Sequence, residues 1–399
     1  MSAMPLSDTR SSLHHALIAS AEAAPEKTAI FWGDEEIHYG VLRDRALRFA
    51  GALVTAHGVK AGDRIGLWLK NCPEFVAAYY GILLAGGVVV PINNFLKPAE
   101  VEHILEDAGA RLVLADPELI RAASGLAARL TSVRFVALNE LTAEALREPV
   151  QRRREDLAVI VYTSGTTGRS KGAMLTHGNL LHNVSSCEVV LEAEKVDRFA
   201  VMLPLFHSFM MTVGMILPLT LGGSMVLVRS LNPPKNAIME IIRHKATILP
   251  AVPQFFRALA GAGIRDGLPV RLCISGGAPL PGEILREFEE KMPIPLIEGY
   301  GLSEASPVVS LNPIRGNRKA GSIGVPIANV EVAVWDEECR PLGVREVGEI
   351  VVRGGNVMAG YWNQPEATAQ ALRDGWLLTG DIGYRDEDGY FFITDRKKD

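Results

Sequence analysis

The chain has 399 residues, 48% of them hydrophobic and 22% charged. Its 41 lysines and arginines against 46 aspartates and glutamates leave a net charge of −5, which argues against nucleic acid as a partner, since such a binder carries a basic face. So much apolar material excludes wholesale disorder, and the length predicts two or three structural units. Cys72, Cys187, Cys273 and Cys339 lie far apart and in no metal-ligand spacing. They are expected as small buried hydrophobes of a reducing cytoplasm.

No basic segment followed by an apolar run opens the chain, so no secretory leader is expected. Leu42, Ala46, Phe49, Ala50 and Leu53 recur at helical spacing, and Arg64 to Lys70 alternates like a strand. Phe75 to Ile92 carries no charge, but Gly86-Gly87 and Pro91 interrupt it before the ~20 continuous residues of a membrane span. It reads as a buried helix passing into a core strand. Glu100 to Asp107 and Arg111 to Ala115 repeat helix and strand, and Arg152-Arg153-Arg154 sits in a polar connector expected to be a solvated linker.

Leu157 to Val161 is a continuous apolar strand, and Phe199 to Val228 again reads as buried helix and strand, broken at Pro204, Pro218 and Gly222-Gly223. Val270 to Ile274, Gly282 to Met292 and Pro295 to Glu298 follow as strand, helix and strand. Alternation of this kind predicts an α/β fold whose largely parallel strands are covered on both faces. After about residue 320 the texture changes: Val330 to Trp335, Gly348 to Arg353 and Tyr390 to Thr394 are strands with little helix between them, and Asp388-Gly389 marks a hairpin. A smaller β-rich subdomain is expected there.

The chemistry concentrates in Tyr162-Thr163-Ser164-Gly165-Thr166-Thr167-Gly168-Arg169-Ser170-Lys171-Gly172, between the strand ending near Val161 and a helical pattern starting around His177. Glycines allow tight turns that present backbone N–H groups to an anion; the hydroxyls and Lys171 add donors and charge. Such a loop can surround a triphosphate. The spacing is not that of the nucleotide-hydrolase P-loop, because Gly165 and Gly168 are three apart and Lys171 precedes a glycine.

This loop resembles the phosphate-binding signature of the adenylate-forming superfamily, which includes acyl-CoA synthetases, firefly luciferases and peptide-synthetase adenylation domains. Ser275 to Leu280 resembles its adenine-pocket turn, and Glu298-Gly299-Tyr300-Gly301-Leu302-Ser303-Glu304 its adenine-stacking and magnesium-binding stretch. Gly348-Glu349-Ile350, Gly360-Tyr361-Trp362, Trp376 to Asp381 and Asp395-Arg396-Lys397-Lys398 follow in the family's order, the last resembling an interdomain hinge. The resemblance implies two mostly parallel sheets packed with helices plus a smaller distorted β-barrel subdomain. It also implies an enzyme that joins a carboxylate to ATP, with Mg²⁺, and then transfers the acyl group to coenzyme A.

On that resemblance Thr163, Ser164, Gly165, Thr166, Thr167, Gly168 and Lys171 hold the β- and γ-phosphates, Thr163 and Lys171 counting among the catalytic groups. Glu304 is the Mg²⁺ ligand and Ser303, at a position usually held by threonine, donates to the α-phosphate. Tyr300, flanked by Glu298, Gly299 and Gly301, stacks on adenine in room left by Gly276, Gly277 and Ala278. Asp381 accepts the ribose hydroxyls, with Arg396 assisting. His207, amid Pro204 to Phe209, is either a satisfied core histidine or a gate beside the acyl carboxylate. The other eight histidines show no pairing with serine or cysteine that suggests a hydrolase triad.

The methionine-rich stretch Phe209 to Met215 suits flexible acyl chains, since methionine adapts to irregular shapes. Together with Gly301 to Pro307, it is most similar to bacterial medium- and long-chain fatty acyl-CoA synthetases. Aryl-acid ligases, a fatty acyl-AMP ligase that stops at the adenylate, and a nucleotide-binding module with little turnover are the alternatives. Residues 1–394 are expected to form a large N-terminal domain, α/β over 1–320 and β-rich over about 321–394. A hinge is expected at 395–399 with Lys398 at its pivot, and a C-terminal domain carrying an adenylation lysine lies beyond it. A cytoplasmic enzyme is expected, with peripheral membrane contact and homodimer formation left open.

Overall fold

The structure, a computed structural model, describes residues 10–163, 169–263 and 267–397. Ser164, Gly165, Thr166, Thr167 and Gly168 of the expected phosphate loop, and Lys398 of the expected hinge, lie outside the described residues. Three sheets organise the rest. The first runs in the order Arg134–Ala137, Leu112–Ala115, Arg64–Trp68, Val88–Pro91, Leu157–Thr163, Lys171–Thr176, parallel except for its last, antiparallel pair. The second has nine strands, from Val325–Pro326 at one edge to Glu35–His38 at the other, parallel through its middle. The third, Val330–Trp335, Gly348–Gly354, Leu372–Arg373, Trp376–Arg385 and Phe391–Arg396, is antiparallel.

The helices Leu13–Ala23, Tyr39–Thr55, Pro73–Leu84 and His177–Val190 lie between the two larger sheets and share one core with them. Pro234–Arg243, Pro253–Gly261 and Gly282–Lys291 cover the outer face of the nine-stranded sheet, and Pro98–Ala108 that of the six-stranded one. The strands are therefore apolar on both sides, as their sequence runs require. Proline opens the helices at Pro73, Pro98, Pro234 and Pro253, where its missing N–H costs nothing. No helix among the described residues is long and apolar enough to cross a membrane. Phe75 to Ile92 divides into helix and strand as expected.

Several features differ from the sequence reading. The segment from Phe199 opens with a strand, Arg198–Val201, and its helical part begins as a π-helix over Met210–Ile216. Between Gly168 and His177 lies a strand, Lys171–Thr176, so the glycine-rich loop closes a β-hairpin and does not lead straight into the helix. The last strand continues to Arg396, pairing it with Asp381, two residues into the stretch expected as hinge. Cys187 and Cys273 are buried, but Cys72 and Cys339 are only partly so. Arg152 and Arg154 are half-buried, Arg152 paired with Asp156 and Arg154 donating to the Arg10 carbonyl at 2.7 Å, so the connector is tied to the N-terminal segment and not simply solvated.

Asp197, just before Arg198–Val201, is almost fully buried at 2% exposure. It accepts a fork from Arg271 (Nε 2.9 Å, Nη2 2.7 Å) and the Thr247 hydroxyl at 2.7 Å. Burial opposes its charge, yet these bonds, with the Glu194 N–H, hold its carboxyl below the usual range. A carboxyl lowered on folding contributes stability above its unfolded pKa and loses it as pH falls through the folded value. Asp197→Asn, which leaves Arg271 without its carboxylate and with only the Leu191 and Glu192 carbonyls, is expected to cost about 3 kcal/mol near neutrality. In denaturant melts the gap between the two proteins should close below the carboxylate range, near pH 3.8 and lower.

Candidate active site

Thr163 ends one strand of the hairpin and Lys171 begins the other, directly opposite in register. Gly172 admits this close pairing, because a Cβ there would lie 2.6 Å from Ile160 Cγ2 and 3.1 Å from the Tyr162 ring. The expected Mg²⁺ ligand Glu304 sits on a single turn, Ser303–Ala305, that ends at Ser306 with φ of 70°. The turn is fixed from outside: Met358 N–H donates to Glu304 O at 2.8 Å, Asn356 Nδ2 to Ala305 O at 2.9 Å, and Ser306 Oγ to Asn356 O at 2.7 Å.

Glu304 Oε1 accepts from Thr163 Oγ1 at 3.2 Å and from Tyr361 Oη at 2.9 Å. The Lys171 ammonium stands 5.4 Å from the centre of the Tyr361 ring. Ser303 Oγ is 2.9 Å from Ser208 Oγ, which joins this turn to the loop that carries His207. Thr163, Lys171, Ser303 and Glu304 are thus brought to one place, and Tyr361, which sequence analysis placed only in a family motif, is brought there with them.

A second group lies along the strand Leu296–Gly301. Tyr300 Oη donates to Asp381 Oδ2, and Arg396 Nε is 3.9 Å from Asp381 Oδ1. Burial first, then the Asp381 charge, pushes the Tyr300 hydroxyl well above its ordinary value, so it remains a donor. Asp381 is in the middle of the strand Trp376–Arg385 and caps no turn. Gly276 is buried, whereas Gly277, with φ of 77°, and Ala278 are exposed at the end of Leu272–Ser275. A Cβ on Gly276 would stand 3.1 Å from the Phe209 ring. Gly299 and Gly301 are equally constrained, with Leu311 Cδ2 at 2.4 Å and Pro307 O at 2.2 Å from a built Cβ.

Glu298, two residues before Tyr300 on this strand, is engaged by the turn that follows Gly276 to Ala278. It is buried, accepts the Leu280 N–H at 2.8 Å, and is pushed by burial up to about 7. Its contact steadies the turn after Gly276 to Ala278. His207 is exposed, which removes the core-histidine alternative. Its Nδ1 accepts the Phe209 N–H at 3.3 Å, and desolvation by its apolar neighbours lowers its basicity.

Serine and histidine do meet at the N-terminus, within a helix cap. Ser11 Oγ and Ser12 Oγ lie 2.6 and 3.1 Å from His15 Nδ1, and Ser12 Oγ 3.2 Å from His14 Nε2. These contacts belong to the cap of Leu13–Ala23, and sequence spacing could not show them because the cap folds the side chains back. His14 and His177 are buried and driven down to about 3, by burial and then by neighbouring positive charge.

A cavity of about 700 Å³ opens where strands of the two large sheets end, lined by Trp32, Lys70, Phe95, Arg121, Phe206 and Arg229 among others. It was not expected from the sequence, since its residues come from distant segments. Its position, outside the carboxyl ends of parallel strands, is where open α/β sheets bind ligands.

A hydroxyl and a lysine on a hairpin, a carboxylate on the facing turn and a tyrosine–aspartate pair along the next strand agree with the arrangement expected of an adenylate-forming enzyme. The family model described as "AMP-binding enzyme" matches residues 17–362, and the chain belongs to that family. It is 37% identical over 433 residues to a long-chain-fatty-acid–CoA ligase of Bacillus subtilis, covering 97% of this chain and 77% of that protein. It is 36% identical over 388 residues to a feruloyl-CoA synthase of Amycolatopsis, covering 96% and 78%. Apo MatB from Rhodopseudomonas palustris superposes with a TM-score of 0.90 at 32% identity, covering 97% and 79%, and its ATP-bound form with 0.89 at 33%, covering 96% and 78%.

A raised carboxyl contributes stability that is full below its unfolded pKa and is lost as pH rises through the folded value. The wild-type protein should therefore lose stability between pH 4.5 and about 7 through Glu298, by at most about 3 kcal/mol. Glu298→Gln keeps an acceptor for Leu280 and carries no charge. Its Tm should exceed that of the wild type at pH 8, the gap shrinking toward pH 5.

Proposed function

We propose that the chain activates a medium- or long-chain fatty acid with ATP, releasing pyrophosphate and forming acyl-AMP, and that the acyl group then passes to coenzyme A. The observation that carries the acid class is the apolar wall running inward from the nucleotide-handling groups. Ser208 touches Ser303, and every residue from Ser208 to Thr220 is buried, including Met210, Met211 and Met215. Such a wall suits an alkyl chain, and Gly276 packs against the Phe209 ring, where an added Cβ would stand 3.1 Å away. The named relatives at 36–37% identity act on a long-chain fatty acid and on ferulate, so an aryl acid is the competing reading.

The first step brings a carboxylate oxygen to a phosphate, and its barrier is lowered by positioning and charge neutralisation. Lys171 and Thr163 approach the β- and γ-phosphates from the hairpin, and Ser303 donates to the α-phosphate. Tyr300 and the turn Gly276 to Ala278 take the adenine, while Asp381, with Arg396, takes the ribose hydroxyls. Glu304 beside Thr163 offers the oxygen ligands a hydrated Mg²⁺ prefers. When bound, that ion would neutralise charge on the phosphates. His207, exposed at the head of the apolar wall, stands between the acid and the outer crevice. That crevice holds Trp32 and Phe95 beside Lys70, Arg121 and Arg229, with Asp116 and Glu118 also in its lining and Lys70 paired to Glu118 at 2.7 Å, so Arg121 and Arg229 are the cations it offers to the phosphates of coenzyme A. We read the enzyme as cytoplasmic, where ATP and coenzyme A are both at hand.

ATP–pyrophosphate exchange with octanoate, palmitate and ferulate tests the reading. Exchange should be fastest with a fatty acid. A preference for ferulate would establish the aryl reading, and ATP binding without exchange for any acid would defeat the enzymatic one. Glu304→Gln should lower exchange by about 100-fold or more. Gly276→Ala, whose new methyl meets the Phe209 ring, should shift preference from palmitate toward octanoate.

A further inference from the structure

Tyr361 belongs to no element expected to carry chemistry. It lies between the strand Gly348–Gly354 and the helix Pro365–Ala371, held against the hairpin by backbone. Met174 N–H donates to Gly360 O at 2.9 Å, Trp362 N–H to Gly172 O at 2.8 Å, and Tyr361 bridges to Ala173. Its own N–H donates to Thr368 Oγ1 at 2.9 Å. With the backbone fixed at both neighbours, the half-buried ring has little freedom. Its hydroxyl reaches Glu304 Oε1 at 2.9 Å, and its face lies under the Lys171 ammonium at 5.4 Å. Thr163 donates to the same oxygen, so both hydroxyls claim Oε1 and orient the carboxylate plane.

We propose that Tyr361 is a positioning residue: it holds Glu304 turned toward the nucleotide's metal ion and keeps Lys171 aimed at the phosphates. This rests on Glu304 being the Mg²⁺ ligand, as read above. Outer hydrogen bonds of this type set the direction and basicity of a ligand, and their loss typically costs roughly 10–100-fold in metal affinity.

Tyr361→Phe removes only the hydroxyl and retains the ring beneath Lys171. Two readouts are needed: the Mg²⁺ concentration for half-maximal ATP–pyrophosphate exchange, and ATP affinity by calorimetry with Mg²⁺ and with EDTA. The variant should need about 10-fold more Mg²⁺ and bind ATP in EDTA as the wild type does. Tyr361→Gln, which keeps a donor but loses the ring, should recover part of the Mg²⁺ affinity. An equal loss of ATP affinity with and without metal, or a Tm drop that accounts for the lost exchange in both variants, would assign Tyr361 a merely structural part. Glu304→Gln separates the two levels. If it leaves the Mg²⁺ requirement unchanged, the ligand reading fails; if it raises the requirement while Tyr361→Phe does not, the positioning inference alone fails.

Discussion

Glu304 receives one hydroxyl from the end of a strand in the six-stranded sheet, Thr163, and another from the loop that follows Gly348–Gly354 in the antiparallel sheet, Tyr361. The carboxylate itself stands on a turn continuous with the nine-stranded sheet. All three sheets therefore meet at one charged group. A half-buried carboxylate is costly unless hydrogen-bonded, so the charge rewards only the arrangement in which the sheets are together. The backbone bonds around Gly360 and Trp362 make that arrangement stiff, and Lys171 gains its position from the same hairpin that supplies Thr163.

The layered order was legible where apolar runs were long and punctuation was strong. Gly86-Gly87 divided helix from strand, and Asp388-Gly389 turned a hairpin, because glycine and aspartate act locally. The strand Lys171–Thr176 was not legible: it is short, and its pairing with Leu157–Thr163 is decided across a loop. The π-helix was equally hidden, because its hydrogen-bond pattern and not its residue types sets it apart from an α-helix.

At the site, the resemblance and the loop composition brought Thr163, Lys171, Ser303, Glu304, Tyr300 and Asp381 into one hypothesis, and the structure gathers them into two neighbouring groups. Glu298 shared the motif but accepts the Leu280 N–H, a contact supplied by a turn that lies 18 residues earlier in the chain. Tyr361 and the crevice of Lys70, Arg121 and Arg229 depend on segments far apart in the chain, and no local pattern announces such encounters. The Ser12–His14 contact illustrates the reverse case, where proximity in sequence produced a helix cap with no catalytic partner.

Met210–Ile216 winds with one residue more per turn than the helix Leu217–Leu221 that continues it. Removing one residue from such a segment can narrow the wide turn to an ordinary one while the flanking helix keeps its phase, so that only the side chains of the segment itself change places. Met210, Met211 and Met215 would then exchange places with side chains now turned elsewhere. The lining of the apolar wall is therefore open to wholesale revision by a change in chain length as well as by substitution. A lineage could re-cut its acid pocket in a single event, leaving the hairpin and the carboxylates untouched.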